Sequence, residues 1–241
     1  MIFNAFFKAV AQLGDPRFRR VLWMGIGLTL ALLIAATAGF VAFLEWLTGD
    51  QVFLPFIGEV TWINDLVSWS SLILMLVLSV FLMVPVASAI TSMFLDEVAQ
   101  AVEDRYYPQL PPATPVPFWD AVRDTINFLG VLVAANIVAI ALYFVFSPAA
   151  LFIFWGLNGF LLGREYFTLA ALRRLDREKA KALRARHGGK IWLAGTLMAM
   201  PLSIPVVNLL IPILGAATFT HIYHAIIASD PSARTSPDRA R

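Results

Sequence analysis

Three arginines crowd the start of the first long apolar run: Arg17, Arg19 and Arg20 follow directly on Asp15-Pro16. A guanidinium group presents its donors in a fixed planar fork, the geometry that grips an oxyanion. The same residues also suit the positive-inside rule, by which Lys and Arg flank the cytoplasmic ends of membrane spans. Both readings stand on composition alone. A second set of candidates lies at proline breaks, Ser147-Pro148 in one charge-free window (125–163) and Pro205 with Asn208 in another (191–229). A Ser-Pro pair fits the cap and first position of a helix, so a helix is expected to start at each break. Helix N-termini carry unpaired N–H groups and about half a positive charge. Half-helices aimed at one point hold anions in membrane proteins. The plainer reading is a break that is simply packed over.

Covalent chemistry finds little support. His221 and His224 are spaced as a metal pair could be, but no carboxylate lies between Lys190 and Asp230. Histidines near an interfacial helix end explain them better. There are no cysteines, which excludes disulfides, thiol catalysis and cysteine-bound metals. No charge falls inside an apolar window, which argues against an intramembrane proton-relay acid. Asn127, Asn136, Asn158 and Asn208 are expected to bond a neighbouring helix. No phosphate-binding loop is present. The expectation is a non-enzyme without metal or cofactor.

The elements that must position these residues are helices in a bilayer. The 241 residues are 59% hydrophobic and 14% charged, with a mean hydropathy of +0.76. That is the composition of an all-α integral membrane protein. The net charge is only +2, so charge placement says more than the total, and no separate domain supports nucleic-acid binding. One helical membrane domain is expected over 1–229, with 230–241 a disordered tail. Residues 1–13 read as an amphipathic helix at the membrane surface. The uncharged run 21–44 is too long for a signal-peptide core and reads as a retained anchor. Long helices are expected at 21–44 and 66–107, separated by an acidic outer loop at 45–65 and followed by a proline-rich connector, 108–117.

A crossing takes about 20 apolar residues at roughly 1.5 Å each. Two crossings plus a turn need more than either proline-broken window supplies. Each window is therefore expected to be a re-entrant, partly penetrating hairpin. Residues 164–190 hold half of the 18 lysines and arginines and read as a cytoplasmic basic helix closed by Gly188-Gly189. With the arginine-rich start, this places both termini in the cytoplasm.

The layout resembles the CysZ sulfate permease family, within the larger group of EI24-domain membrane proteins. Three stretches carry the resemblance. The first is Asp15-Pro16-Arg17-Phe18-Arg19-Arg20, where the family has a proline, a short gap and an Arg-Arg pair. The second is 94–105, a helix ending in an acidic, Glu- and Arg-containing segment. The third is Ile204-Pro205-Val206-Val207-Asn208-Leu209, followed by Pro212 and Ala217-Thr218. The chain departs where classical members carry a Tyr-Pro-Phe-Asp-like turn, having Gly163-Arg164-Glu165-Tyr166-Phe167 instead. The resemblance implies two long transmembrane helices plus two pairs of partly penetrating helices. It also implies sulfate uptake across the bacterial inner membrane for cysteine synthesis, by an oligomer, with Arg19 and Arg20 binding sulfate. A non-transport scaffold that docks partners on the basic helix 173–190 is the alternative. Under that reading, Arg173, Arg174 and Arg177 would matter most.

Overall fold

The computed structural model describes residues 1–48, 53–54, 58–59, 94–113 and 118–230. The expected outer loop, most of the second long helix and the tail therefore fall largely or wholly outside the described residues. Among the described residues the fold is all-α apart from one two-residue antiparallel pairing. Two compact units are present, Trp23–Ile90 and the remainder.

The smaller unit holds most of helix α2 (Pro16–Thr48) and the pairing of β1 (Phe53–Leu54) with β2 (Gly58–Glu59). At 33 residues, α2 is roughly 50 Å long, more than a hydrocarbon core requires.

The larger unit carries the candidate residues. Helix α1 (Ile2–Ala11) buries Ala5 and Ala9 and packs on α8 (Pro205–Ser229). Its other face leaves Phe3 and Phe7 exposed, at 65% and 64%. Helix α3, described over 94–106, buries Leu95, Val98, Ala99, Ala101 and Val102. Helix α4 (Phe118–Val145) turns through the 3-10 segment Ser147–Ala149 into α5 (Ala150–Leu172). Helix α6 (Arg177–Arg186) follows, then α7 (Gly188–Ala199), a second 3-10 segment (Met200–Ser203) and α8.

Two expectations change at this level. Residues 164–190 do not form one basic helix. Helix α5 runs through Leu172, and Asp176 then starts α6 afresh, its carboxylate accepting the Lys179 N–H at 2.9 Å. Gly188 opens α7 rather than closing a helix. The arms of the first broken window are also longer than the window. Helix α4 has 28 residues and α5 has 23, because Asp120, Arg123, Asp124, Arg164 and Glu165 stay helical at their bases. In the second window α7 has only 12 residues, roughly 18 Å and too short to cross.

Among the described residues two helices are long and apolar enough to cross a membrane, and their surroundings differ. The window Leu210–Ser229 of α8 is 72% buried and forms the centre of the core, whereas Ile126–Val145 of α4 is only 6% buried. Around α8 gather Phe18 from α2, Phe167 from α5, and its own Phe219, Ile222 and Ile226, all nearly inaccessible.

The two broken windows are joined by glycine. Helix α5 packs more extensively on α7 than on α4, α6 or α8. At the crossing Gly159 and Gly163 face Gly195. A Cβ on Gly195 would overlap the Gly159 carbonyl oxygen and lie 2.8 Å from the Gly163 nitrogen. A Cβ on Gly159 would lie 2.6 Å from the Thr196 nitrogen. This is a small-xxx-small approach of two backbones, the packing that holds helices together where lipid supplies no hydrophobic drive. Trp192 Nε1 donates to the Gly156 carbonyl at 2.9 Å beside it. Because the clash would be with backbone, Gly195→Ala should cost about 2 kcal/mol. Gly130→Ala, with nothing within 4 Å, should be neutral or slightly stabilising. Thermal unfolding of the two purified variants in detergent compares them.

Candidate functional site

The arginine cluster is built by the corner between α1 and α2. Asp15 caps α2 as its sequence requires: Oδ1 accepts the Arg17 N–H at 2.9 Å, and Pro16 takes the first helical position. Gln12, fully buried, donates Nε2 to Asp15 Oδ2 at 3.2 Å and to the Ala101 carbonyl at 3.0 Å. That bond ties the corner to α3. Phe18 and Val21, 1% and 4% exposed, turn one face of α2 into the core. Helical geometry then sends the arginines along the sides.

Their side chains have different fates. Arg17 Nη1 lies 2.6 Å from Asp104 Oδ2, and Gln100 Nε2 donates to Asp104 Oδ1 at 2.7 Å. The hydrogen bond from Arg17, helped by Gln100, lowers the Asp104 pKa, and the same bond raises that of Arg17. Arg20 Nη1 sits 3.8 Å from Glu97 Oε1, with the two side chains 69% and 34% exposed. Arg19 is exposed, and its side chain has no hydrogen-bond or ion-pair partner among the described residues.

A second cluster, buried and unforeseen from sequence, lies on the neighbouring face of α3. Glu103 is 2% exposed and Arg173 4%. Arg174 Nε reaches Glu103 Oε1 at 3.0 Å and its Nη2 reaches Oε2 at 2.7 Å, a bidentate clasp. Arg173 Nη2 donates to Glu103 Oε2 at 3.1 Å and to Gln100 Oε1 at 2.6 Å, and Nη1 pairs with Asp96. From α8, His224 Nε2 lies 3.0 Å from Glu103 Oε1. Tyr107 Oη and His221 Nδ1 are 3.0 Å apart alongside. Burial pushes the Glu103 pKa up, but the hydrogen bonds from His224 and Arg174 and the Arg173 charge outweigh it and hold the group at about 2.

The structure revises three sequence readings. Arg173 and Arg174 turn inward and are consumed by Glu103, so they are not a docking face. His221, 3% exposed, is a core residue, and His224 bonds Glu103 across the helices. Asn136 and Asn158 donate to the carbonyls of Leu132 and Phe154, four residues back in their own helices, and not to a neighbour.

The proline-break candidates form a second group. Ser147 is exposed and does not cap a helix. Phe146 precedes the 3-10 segment, and α5 begins only at Ala150 with no side-chain cap. Pro148 sits in the first turn of that segment. Pro205 opens α8 after extended Ile204, and the Asn208 N–H donates to the Ile204 carbonyl at 2.8 Å. The Asn208 side chain is exposed and makes no hydrogen bond among the described residues. No hydrogen bond among the described residues links either turn to Arg19 or Arg20.

Two tests follow from the buried carboxylate. Glu103→Gln leaves Arg173 and Arg174 without their shared counter-charge and should cost about 3 kcal/mol, read as a lowered unfolding midpoint. The Glu103 pKa is depressed in the fold, so its stabilisation is complete above its ordinary value near 4.5 and is lost as pH falls toward about 2. Acid melts should therefore lose stability over that window, and Glu103→Gln should flatten the loss.

The profile of the family described as EI24, Sulfate transporter CysZ/Etoposide-induced protein 2.4, matches residues 5–212. The match spans the arginine corner, α3 and both proline breaks, and the chain belongs to this family. No individually curated protein matches it.

Proposed function

We propose that this EI24-family protein carries sulfate, or a closely related oxyanion, across the bacterial inner membrane into the cytoplasm, feeding cysteine synthesis. The observation that carries the reading is the family match over residues 5–212, whose description names a sulfate transporter. No covalent step is needed. The protein is a multi-pass, homo-oligomeric resident of the lipid bilayer with both termini cytoplasmic. Helix α4 supports the bilayer setting: Ile126, Ile137, Ile140 and Phe144 are 63%, 62%, 67% and 91% exposed, an apolar surface that water would not tolerate.

In this reading the first hairpin tilts so that its charge-free tip, with Phe144, Phe146 and Pro148, stays within the membrane. The short α7 carries the second hairpin only partway in. Helix starts near Ser147-Pro148 and Pro205-Asn208 lend positive potential along the route. The outward Phe3 and Phe7 of α1 rest in the interface. Arg19 and Arg20 hold the anion, and Arg19, without a side-chain partner among the described residues, is the stronger donor. Docking through 173–190 is disfavoured because Arg173 and Arg174 face inward.

Equilibrium binding of radiolabelled sulfate to purified protein tests the site. The Arg19→Ala/Arg20→Ala variant should bind roughly tenfold more weakly, the loss expected for charge-assisted hydrogen bonds, while remaining monodisperse. Unchanged binding in that variant would move the site elsewhere.

A further inference from the structure

The arginines of the α2 corner are held unequally, and the inequality has a functional consequence. Arg17 is locked: its 2.6 Å bond to Asp104 is braced by Gln100. Arg20 is held loosely, 3.8 Å from Glu97, with both side chains open to solvent. Arg19 faces solvent with no side-chain partner among the described residues. We propose that Glu97 is an internal competitor for the oxyanion on Arg20, setting how tightly the anion is held and how readily it leaves. This rests on the assignment of the anion to Arg19 and Arg20.

The argument is electrostatic. An anion gripped by Arg19 needs Arg20 to complete a two-guanidinium clasp. To supply it, Arg20 must leave Glu97, whose carboxylate is then unpaired and close to the incoming negative charge. Net affinity is therefore the difference between the Arg20–anion and Arg20–Glu97 attractions, reduced further by repulsion from Glu97. Long, exposed ion pairs are weak, so the exchange is accessible. A transported ion must bind well enough to enter a site and weakly enough to leave it. A resident carboxylate that takes back the arginine provides that second property. Asp104 holds Arg17 more closely, at 2.6 Å with Gln100 on its other oxygen, so that pair exchanges less readily.

The experiment is equilibrium binding of radiolabelled sulfate to the full-length protein. Glu97→Gln should lower the Kd roughly threefold, the scale of an exposed ion pair. Glu178→Gln makes the same charge change on exposed α6 and should leave the Kd unaltered. In an Arg20→Ala background the gain from Glu97→Gln should shrink toward unity, since the competition has lost its object. An unchanged Kd in Glu97→Gln, or an equal gain with and without Arg20, overturns the proposal while leaving the anion site intact. Wild-type protein that binds no sulfate overturns both the proposal and the reading beneath it. Glu97 is partly exposed at the surface of α3, and a monodisperse elution profile verifies that the variant folds.

Discussion

A single buried carboxylate organises the interior of the larger unit. Glu103 is nearly inaccessible and accepts from Arg173, Arg174 and His224 at 2.7–3.1 Å. Taking a charge out of water is expensive, and it is tolerable here only because two guanidinium groups and an imidazole replace the lost hydration. The partners come from the end of α5 and from α8, so α3 is keyed to both. Its carboxylates fall into two stripes. Asp96 and Glu103 face the inner arginines, while Glu97 and Asp104, one position on and about 100° around the helix, face Arg20 and Arg17. Helix α3 is thus a strut with one stripe fixing the core and the other fixing the arginine corner. Glu103, the buried member of the inner stripe, is held ionised by its cationic partners.

The second constraint is backbone proximity. At the α5–α7 crossing, glycine lets main chain meet main chain and joins the two proline-broken windows directly. Helix α8, mostly enclosed, and α4, almost wholly exposed, divide the remaining roles. One is a core element inside the protein, and the other offers its apolar surface outward. Hydropathy admits both as spans, at 2.5 for α4 and 1.5 for α8, and the partners of each helix decide which of these it becomes.

Several features were legible from local sequence. Asp15-Pro16 starts α2, and Pro205 opens α8, because caps and proline act on their own immediate backbone. The Gly159-to-Gly163 spacing is also a local signal, with a direct packing meaning between helices. Other features had no local signal. Arg173 and Arg174 lie some seventy positions from Glu103, so nothing within the basic run shows that the fold turns them inward. Charge does not mark the helix ends: Arg164 and Glu165 are helical, and charged residues readily continue a helix past its apolar part. Ser147 failed as a cap because a 3-10 turn intervenes before α5.

The central claim is that the chain moves an oxyanion across a bilayer. Its most direct test is radiolabelled sulfate flux into liposomes holding the purified wild-type protein, against empty liposomes. The account predicts uptake that saturates with sulfate and that excess unlabelled sulfate suppresses, but excess chloride does not. Flux no greater than in empty liposomes, with the protein folded and inserted, would contradict it.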